Sequence, residues 1–110
     1  MSSNQVYVVV VTGKLKEGQM PQFIENFKPL AQHVQENEEG ALTYQLSTGG
    51  DDPNDLCIYE RYISKEYLEN VHWQSAPFKQ FGAKNAADGI HWELKQVIKY
   101  YETEVGFMSK

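Results

Sequence analysis

Cysteine is nearly absent: Cys57 is the only one in 110 residues, so the chain can form neither an internal disulfide nor a paired-cysteine metal knuckle. Its apolar neighbours predict a core residue. Long apolar runs are missing too, since none approaches the roughly 18 residues of a membrane span. The start, Met1 to Gln5, is polar and lacks the basic and apolar regions of a secretory signal. A cytoplasmic protein without membrane contact is expected. Basic residues are few: ten Lys and Arg against 15 Asp and Glu leave a net charge of −5. They are scattered singly from Lys14 to Lys110, which argues against a phosphate-tracking surface and so against nucleic acid. The strong chemical signatures are also lacking, namely the phosphate loop, the dinucleotide glycine fingerprint, His-Glu-x-x-His and Cys-x-x-Cys. No pair among His33, His72 and His91 has metal-ligand spacing. Neither a metal site nor a bound cofactor is expected.

What is present is apolar and aromatic. A content of 41% apolar and 13% aromatic residues excludes disorder, and a chain of this length makes one domain spanning 1–110. Its core is expected at about 6–101, with a C-terminal tail at 102–110. The apolar period switches between two and 3.6 along it. Val6 to Thr12 reads as a strand with β-branched residues on both faces, so both faces must be dry. Pro21 to Glu36 reads as a helix with Phe23, Phe27, Leu30, Ala31 and Val34 on one stripe, bent at Pro29. After Gly40, the residues Leu42, Tyr44 and Leu46 alternate as a second strand, and Ser47 to Asn54 is dense turn chemistry. A third strand runs from about Leu56 to Ile63. Ser64 and Ser75 are placed as N-caps of two further helical pieces, one through His72 and one carrying Phe78 and Phe81. Gly89 ends the second. Ile90 to Tyr101 reads as the last strand, with Ile90, Trp92, Leu94, Ile98 and Tyr100 on one face and Lys95, Val97, Lys99 and Tyr101 on the other.

The order βαββαβ predicts an α+β, ferredoxin-like antiparallel sheet with both helices on one face. The other face then lacks cover. A second copy of the same sheet would supply it, giving a twofold homodimer through the sheet face, a dimeric α+β barrel.

The chemistry-bearing residues concentrate between Tyr59 and Phe81. Glu60 and Tyr62 share one face of the third strand, so a carboxylate and a phenol project side by side. A carboxylate on an apolar strand is either a paired hydrogen-bond anchor or part of a site. His72, at a helix end, would either cap carbonyls or face a cavity and transfer protons. Trp73, Phe78, Phe81 and Trp92 are core aromatics that can also wall a pocket.

The run of Val8 to Lys14, Phe23 to Leu30, Glu39-Gly40-Ala41-Leu42-Thr43-Tyr44, Asp52-Pro53, Tyr59-Glu60-Arg61-Tyr62, Ser64 and His72-x-x-Ser75-x-x-Phe78-x-x-Phe81 resembles the antibiotic biosynthesis monooxygenase (ABM) family from Tyr7 to about Tyr101. The resemblance implies a ferredoxin-like dimer with a cavity between helices and sheet. It also implies oxygenation of phenolic or quinol rings without flavin, metal or haem. The family's Glu-x-aromatic element falls on Glu60 and Tyr62, where the aromatic is more often Trp. Its His-x-x-Ser element falls on His72 and Ser75, and its Gly-x-x-x-Tyr strand on Gly40 and Tyr44. The Asn of haem-degrading relatives has no counterpart in the first strand, which points away from that reaction.

The expected function is a cofactor-independent monooxygenase for a small electron-rich aromatic, with His72 and Glu60 catalytic and Tyr44, Tyr59, Tyr62, Trp73, Phe78 and Trp92 holding the ligand. Fold alone does not decide activity. A ligand-binding or stress-response dimer and an isomerase of a small carbonyl compound stand as alternatives.

Overall fold

The computed structural model describes residues 5–110; the polar start at residues 1–4 lies outside the described residues. The β-branched run becomes strand β1 (Tyr7–Leu15), and it sits at the centre of the sheet, where two dry faces are required. Strands β2 (Ala41–Thr48), β3 (Asp55–Tyr62) and β4 (Trp92–Tyr101) complete an antiparallel sheet in the order β2-β3-β1-β4. This is the ferredoxin-like arrangement anticipated from the element order.

Helix α1 (Met20–Asn37) starts with Pro21 in its first turn and continues through Pro29 as one element. Its stripe of Phe23, Phe27, Leu30 and Val34 is buried against Leu15, Leu56 and Ile58 from the sheet. Each such side chain contributes roughly 1.5–3 kcal/mol by leaving water. Ser64 caps α2 (Lys65–Tyr67) by accepting the Tyr67 amide at 3.0 Å. The chain then widens into one π-helical turn, Leu68–His72, closed by the Trp73 amide on the Leu68 carbonyl at 2.9 Å. The extra residue in that turn rotates His72 inward, and such turns are frequent where a side chain must be aimed. Ser75 caps α3 (Ala76–Ala87) through the Phe78 amide at 3.2 Å. Gly89, with φ +68, ends α3 in the left-handed region that suits glycine.

Two departures from strict alternation matter. In β2 the register slips between Ala41 and Thr43, so Leu42 is displaced and 45% exposed while Tyr44 and Leu46 face the helices. In β4 it slips between the partners of Lys14 and Leu15. One extra residue at a bulge inverts the face of everything on its far side. Trp92 therefore joins Lys95 and Val97 on the helix side, and does not share a face with Leu94, Ile98 and Tyr100 as alternation predicts. Gly13 makes room for it: a Cβ there would stand 2.8 Å from the Trp92 ring and 2.3 Å from the Leu94 carbonyl oxygen.

Among the described residues no helix covers the second sheet face. The tail lies along it instead, anchored where Arg61 grips the Glu102 carboxylate with two bonds of 2.6 and 2.9 Å. Residues 102–108 border a groove of about 590 Å³ over Val8, Val10, Tyr59 and Tyr100. Val105, Phe107 and Met108 remain exposed there.

Candidate functional site

Between the helices and the first sheet face lies a cavity of about 510 Å³, within the roughly 300–1,000 Å³ range of small-molecule sites. Strand β1 contributes Val9 and Val11 to its floor, β3 contributes Ile58 and Glu60, and α3 contributes Phe78 and Phe81 to its roof. Tyr44, Trp73 and Trp92 complete an aromatic wall, so both tryptophans of the chain face this space.

Glu60 is the chemical centre of that floor. It is 5% exposed, and the Tyr62 hydroxyl donates to its Oε1 at 2.6 Å. Burial pushes its carboxyl up from 4.5 to about 7; the Tyr62 bond pulls the other way, and the negative charge of Glu38 adds to the rise. A carboxyl balanced near neutrality can accept and return a proton. Tyr62 is fully buried behind it, and burial together with the Glu60 charge raises its phenol far above the ordinary value, so it acts as a fixed donor. Tyr44 is likewise raised, chiefly by burial and next by Glu60.

His72 does not line the cavity. It stands one layer behind the wall, with its ring packed on Tyr44 at 5.0 Å, Phe78 at 5.0 Å and Tyr62 at 5.5 Å. Its Nδ1 lies 2.8 Å from Oε1 of Glu38, a carboxylate that is itself 3% exposed. Burial lowers the His72 pKa against the opposing pull of Glu38, so the neutral ring donating from Nδ1 fits this pair. Its Nε2 is buried without a partner. His33 approaches the other Glu38 oxygen at 3.2 Å from the more exposed side. Nothing in the spacing of Glu38 marked it, because a charged residue at a helix end reads as solvated.

Of the eight anticipated residues, Glu60, Tyr44, Trp73, Phe78 and Trp92 converge on one cavity. Tyr62 and His72 back its wall. Tyr59 is the exception: adjacent strand residues point to opposite faces, so it lines the tail groove on the second face and cannot share a ligand with Glu60. Lys95 and Asn85 also line the cavity; alternation had already placed Lys95 beside Val97, but without the bulge it stood opposite Trp92. Among the described residues no group of three His, Cys, Asp or Glu side chains is placed to hold a metal, and no helix is long and apolar enough to cross a membrane.

Residues 6–84 match the sequence profile of the antibiotic biosynthesis monooxygenases. The chain belongs to that family. Solved structures show the same fold. A Caulobacter crescentus protein provisionally assigned as an antibiotic biosynthesis monooxygenase is 25% identical, covers 92% of each chain and superposes with a TM-score of 0.80. Proteins with the same provisional assignment from Bacteroides thetaiotaomicron and Nitrosomonas europaea share the fold. The first has 15% identity, 99% and 100% coverage and a TM-score of 0.83, and the second 19%, 96% and 97%, and 0.79. Among curated proteins none matches the sequence. The ABM family thus accounts for the ferredoxin-like sheet, and within the matched stretch Glu60 puts a carboxyl on the cavity floor.

Proposed function

We propose that this ABM-family chain is a monooxygenase for an electron-rich aromatic, a quinol or phenol, bound in the cavity between helices and sheet. The observation that supports this reading is the Glu60 carboxyl, buried on an apolar, aromatic-walled floor and balanced near pH 7. Glu60 takes the phenolic proton, and the ring anion passes one electron to dioxygen. The two radicals then combine at a ring carbon. Loss of the hydrogen on that carbon leaves a new carbonyl, so one oxygen atom stays on the ring while the other departs as water with the two hydrogens. Electrons balance, since the four taken from the ring reduce one dioxygen. The protein contributes proton transfer and geometry: Tyr62 holds the carboxyl, the aromatic wall orients the ring, and the Glu38–His72 pair positions Tyr44 from behind.

Turnover of naphthohydroquinones, followed by oxygen uptake, quinone absorbance and incorporation of labelled oxygen, tests the reading. Glu60→Gln should slow it by roughly 100- to 10,000-fold with the fold retained. Unchanged turnover would confine Glu60 to hydrogen bonding, and absence of turnover with tight binding would favour a ligand-binding module.

The working unit in this proposal is a homodimer joined through the second sheet face. Val10 and Ile98, half-buried, and the exposed Tyr100, Phe107 and Met108 offer apolar surface there that one subunit does not fully cover. Val10→Asp should dissociate it by burying an unpaired charge. Sedimentation at low micromolar concentration reads the mass, and a monomeric parent protein would refute the pairing.

A further inference from the structure

The cavity has a charged edge as well as a charged floor. Lys95 lines it, with its Nζ held 5.0 Å from the centre of the Trp92 ring. Lys99, further along the same face of β4, sits 5.6 Å from the centre of Trp73. Both distances lie within the roughly 6 Å of a cation–π contact. Lys14, Lys28, Arg61 and Lys84 each have a carboxylate partner within 4 Å. Lys95 and Lys99 have none among the described residues, as is also true of Lys16, Lys65, Lys79 and Lys110, but these two lie on the tryptophans of the cavity. Two ammonium groups without counter-charge are thus parked on the two tryptophans of the ligand space.

Their positions relative to Glu60 are set by register. Glu60 and Lys99 both pair with Val9, while Lys95 pairs with Gly13. Lys95 is therefore about 13 Å from Glu60 along the strand direction, at roughly 3.3 Å per residue, and its flexible four-carbon stem lets the ammonium swing from Trp92 toward a ligand between them. A rigid ring system with a hydroxyl at one end and an anion at the other spans what remains. Glu60 and Lys95 are the two formally charged side chains on the cavity wall, so the wall is polarised from end to end.

We propose that the ligand of this cavity is an aromatic acid: a hydroxylated ring compound whose carboxylate is held by Lys95, with Lys99 reinforcing the positive edge, and whose hydroxyl meets Glu60. The inference rests on the aromatic-ligand reading given above and names the substrate class for that same site. The lysines hold and orient the ligand and take no part in proton transfer. Leaving Trp92 for a carboxylate exchanges a cation–π contact for a charge-assisted hydrogen bond, which is the stronger of the two.

The test compares 6-hydroxy-2-naphthoate with its neutral isostere 6-hydroxy-2-naphthamide by calorimetry, with quenching of Trp73 and Trp92 as a second signal. In 50 mM salt the acid should bind about tenfold more tightly than the amide, and in 500 mM salt the ratio should shrink as the charges are screened. Lys95→Gln should bring the ratio close to one while leaving amide affinity unchanged; Lys95→Arg should preserve the preference, and Lys99→Gln should reduce it by less. Equal binding of acid and amide, or a ratio that survives Lys95→Gln, overturns the proposal while the aromatic-ligand reading stands. Failure of both compounds to bind refutes the two together.

Discussion

Replacing Glu60 by Gln gives a stability test that is independent of any substrate. The Glu60 carboxyl rises from 4.5 to about 7 on folding, so between those values the folded state holds a proton that the unfolded state has released. Stability therefore falls as pH rises through this window, because deprotonation is easier in the unfolded chain. A rise of about 2.5 units is worth roughly 3 kcal/mol at 1.36 kcal/mol per unit. The side chain is 5% exposed, so solvent screening takes little from that figure. Glu60→Gln keeps the shape and removes the titration. Urea unfolding at fixed protein concentration should show wild type losing about 3 kcal/mol relative to the variant between pH 4.5 and pH 8. Roughly half or more of that loss should already be present by pH 6. With a slope of roughly 1–3 kcal/mol per molar urea, this is a relative midpoint shift of about 1 M or more. The amide oxygen of the variant can still accept from the Tyr62 hydroxyl, and the preference of that bond for the ionised carboxyl is already contained in the raised value. Parallel curves from pH 4.5 to 8 would refute the reasoning, since they would mean that the buried carboxyl titrates alike in both states.

Two further substitutions probe the frame around the cavity. Gly13→Ala should destabilise by about 1–3 kcal/mol through overpacking and alter tryptophan emission, because the new Cβ meets both the Leu94 carbonyl and the Trp92 ring; an unchanged melting temperature would contradict the close approach. His72→Ala should cost about 3 kcal/mol or more, since it strips the buried Glu38 carboxylate of its closest partner. Its thermal melt should fall well below that of His33→Ala, whose side chain is 25% exposed, and a loss of only about 1 kcal/mol would return His72 to the part of a helix-end cap.

The sequence by itself determined the element order, the buried stripe of α1, the serine caps and the need for two dry faces on β1. These follow from local period and from capping chemistry, which act within one or two turns of chain. Glu60 and Tyr62 were likewise legible as a pair, because residues two apart on a strand share a face whatever surrounds them. Only the tertiary structure decided which face Trp92 took, since a bulge is a matter of pairing with β1 and leaves no mark in the spacing of β4. It also decided where His72 points, because a π-helical turn and a carboxylate 34 positions away draw the ring behind the wall. Tyr59 was lost from the site by the same alternation that placed Glu60 in it. Lys95 and Lys99 shared a face by alternation alone, but it took the bulge in β4 to bring Trp92 to that face and so to the cavity beside them. Proton affinity belongs on the tertiary side too. A carboxyl near 7 is made by dehydration and by the charge of Glu38, and both are properties of the packed interior that no short stretch of chain contains.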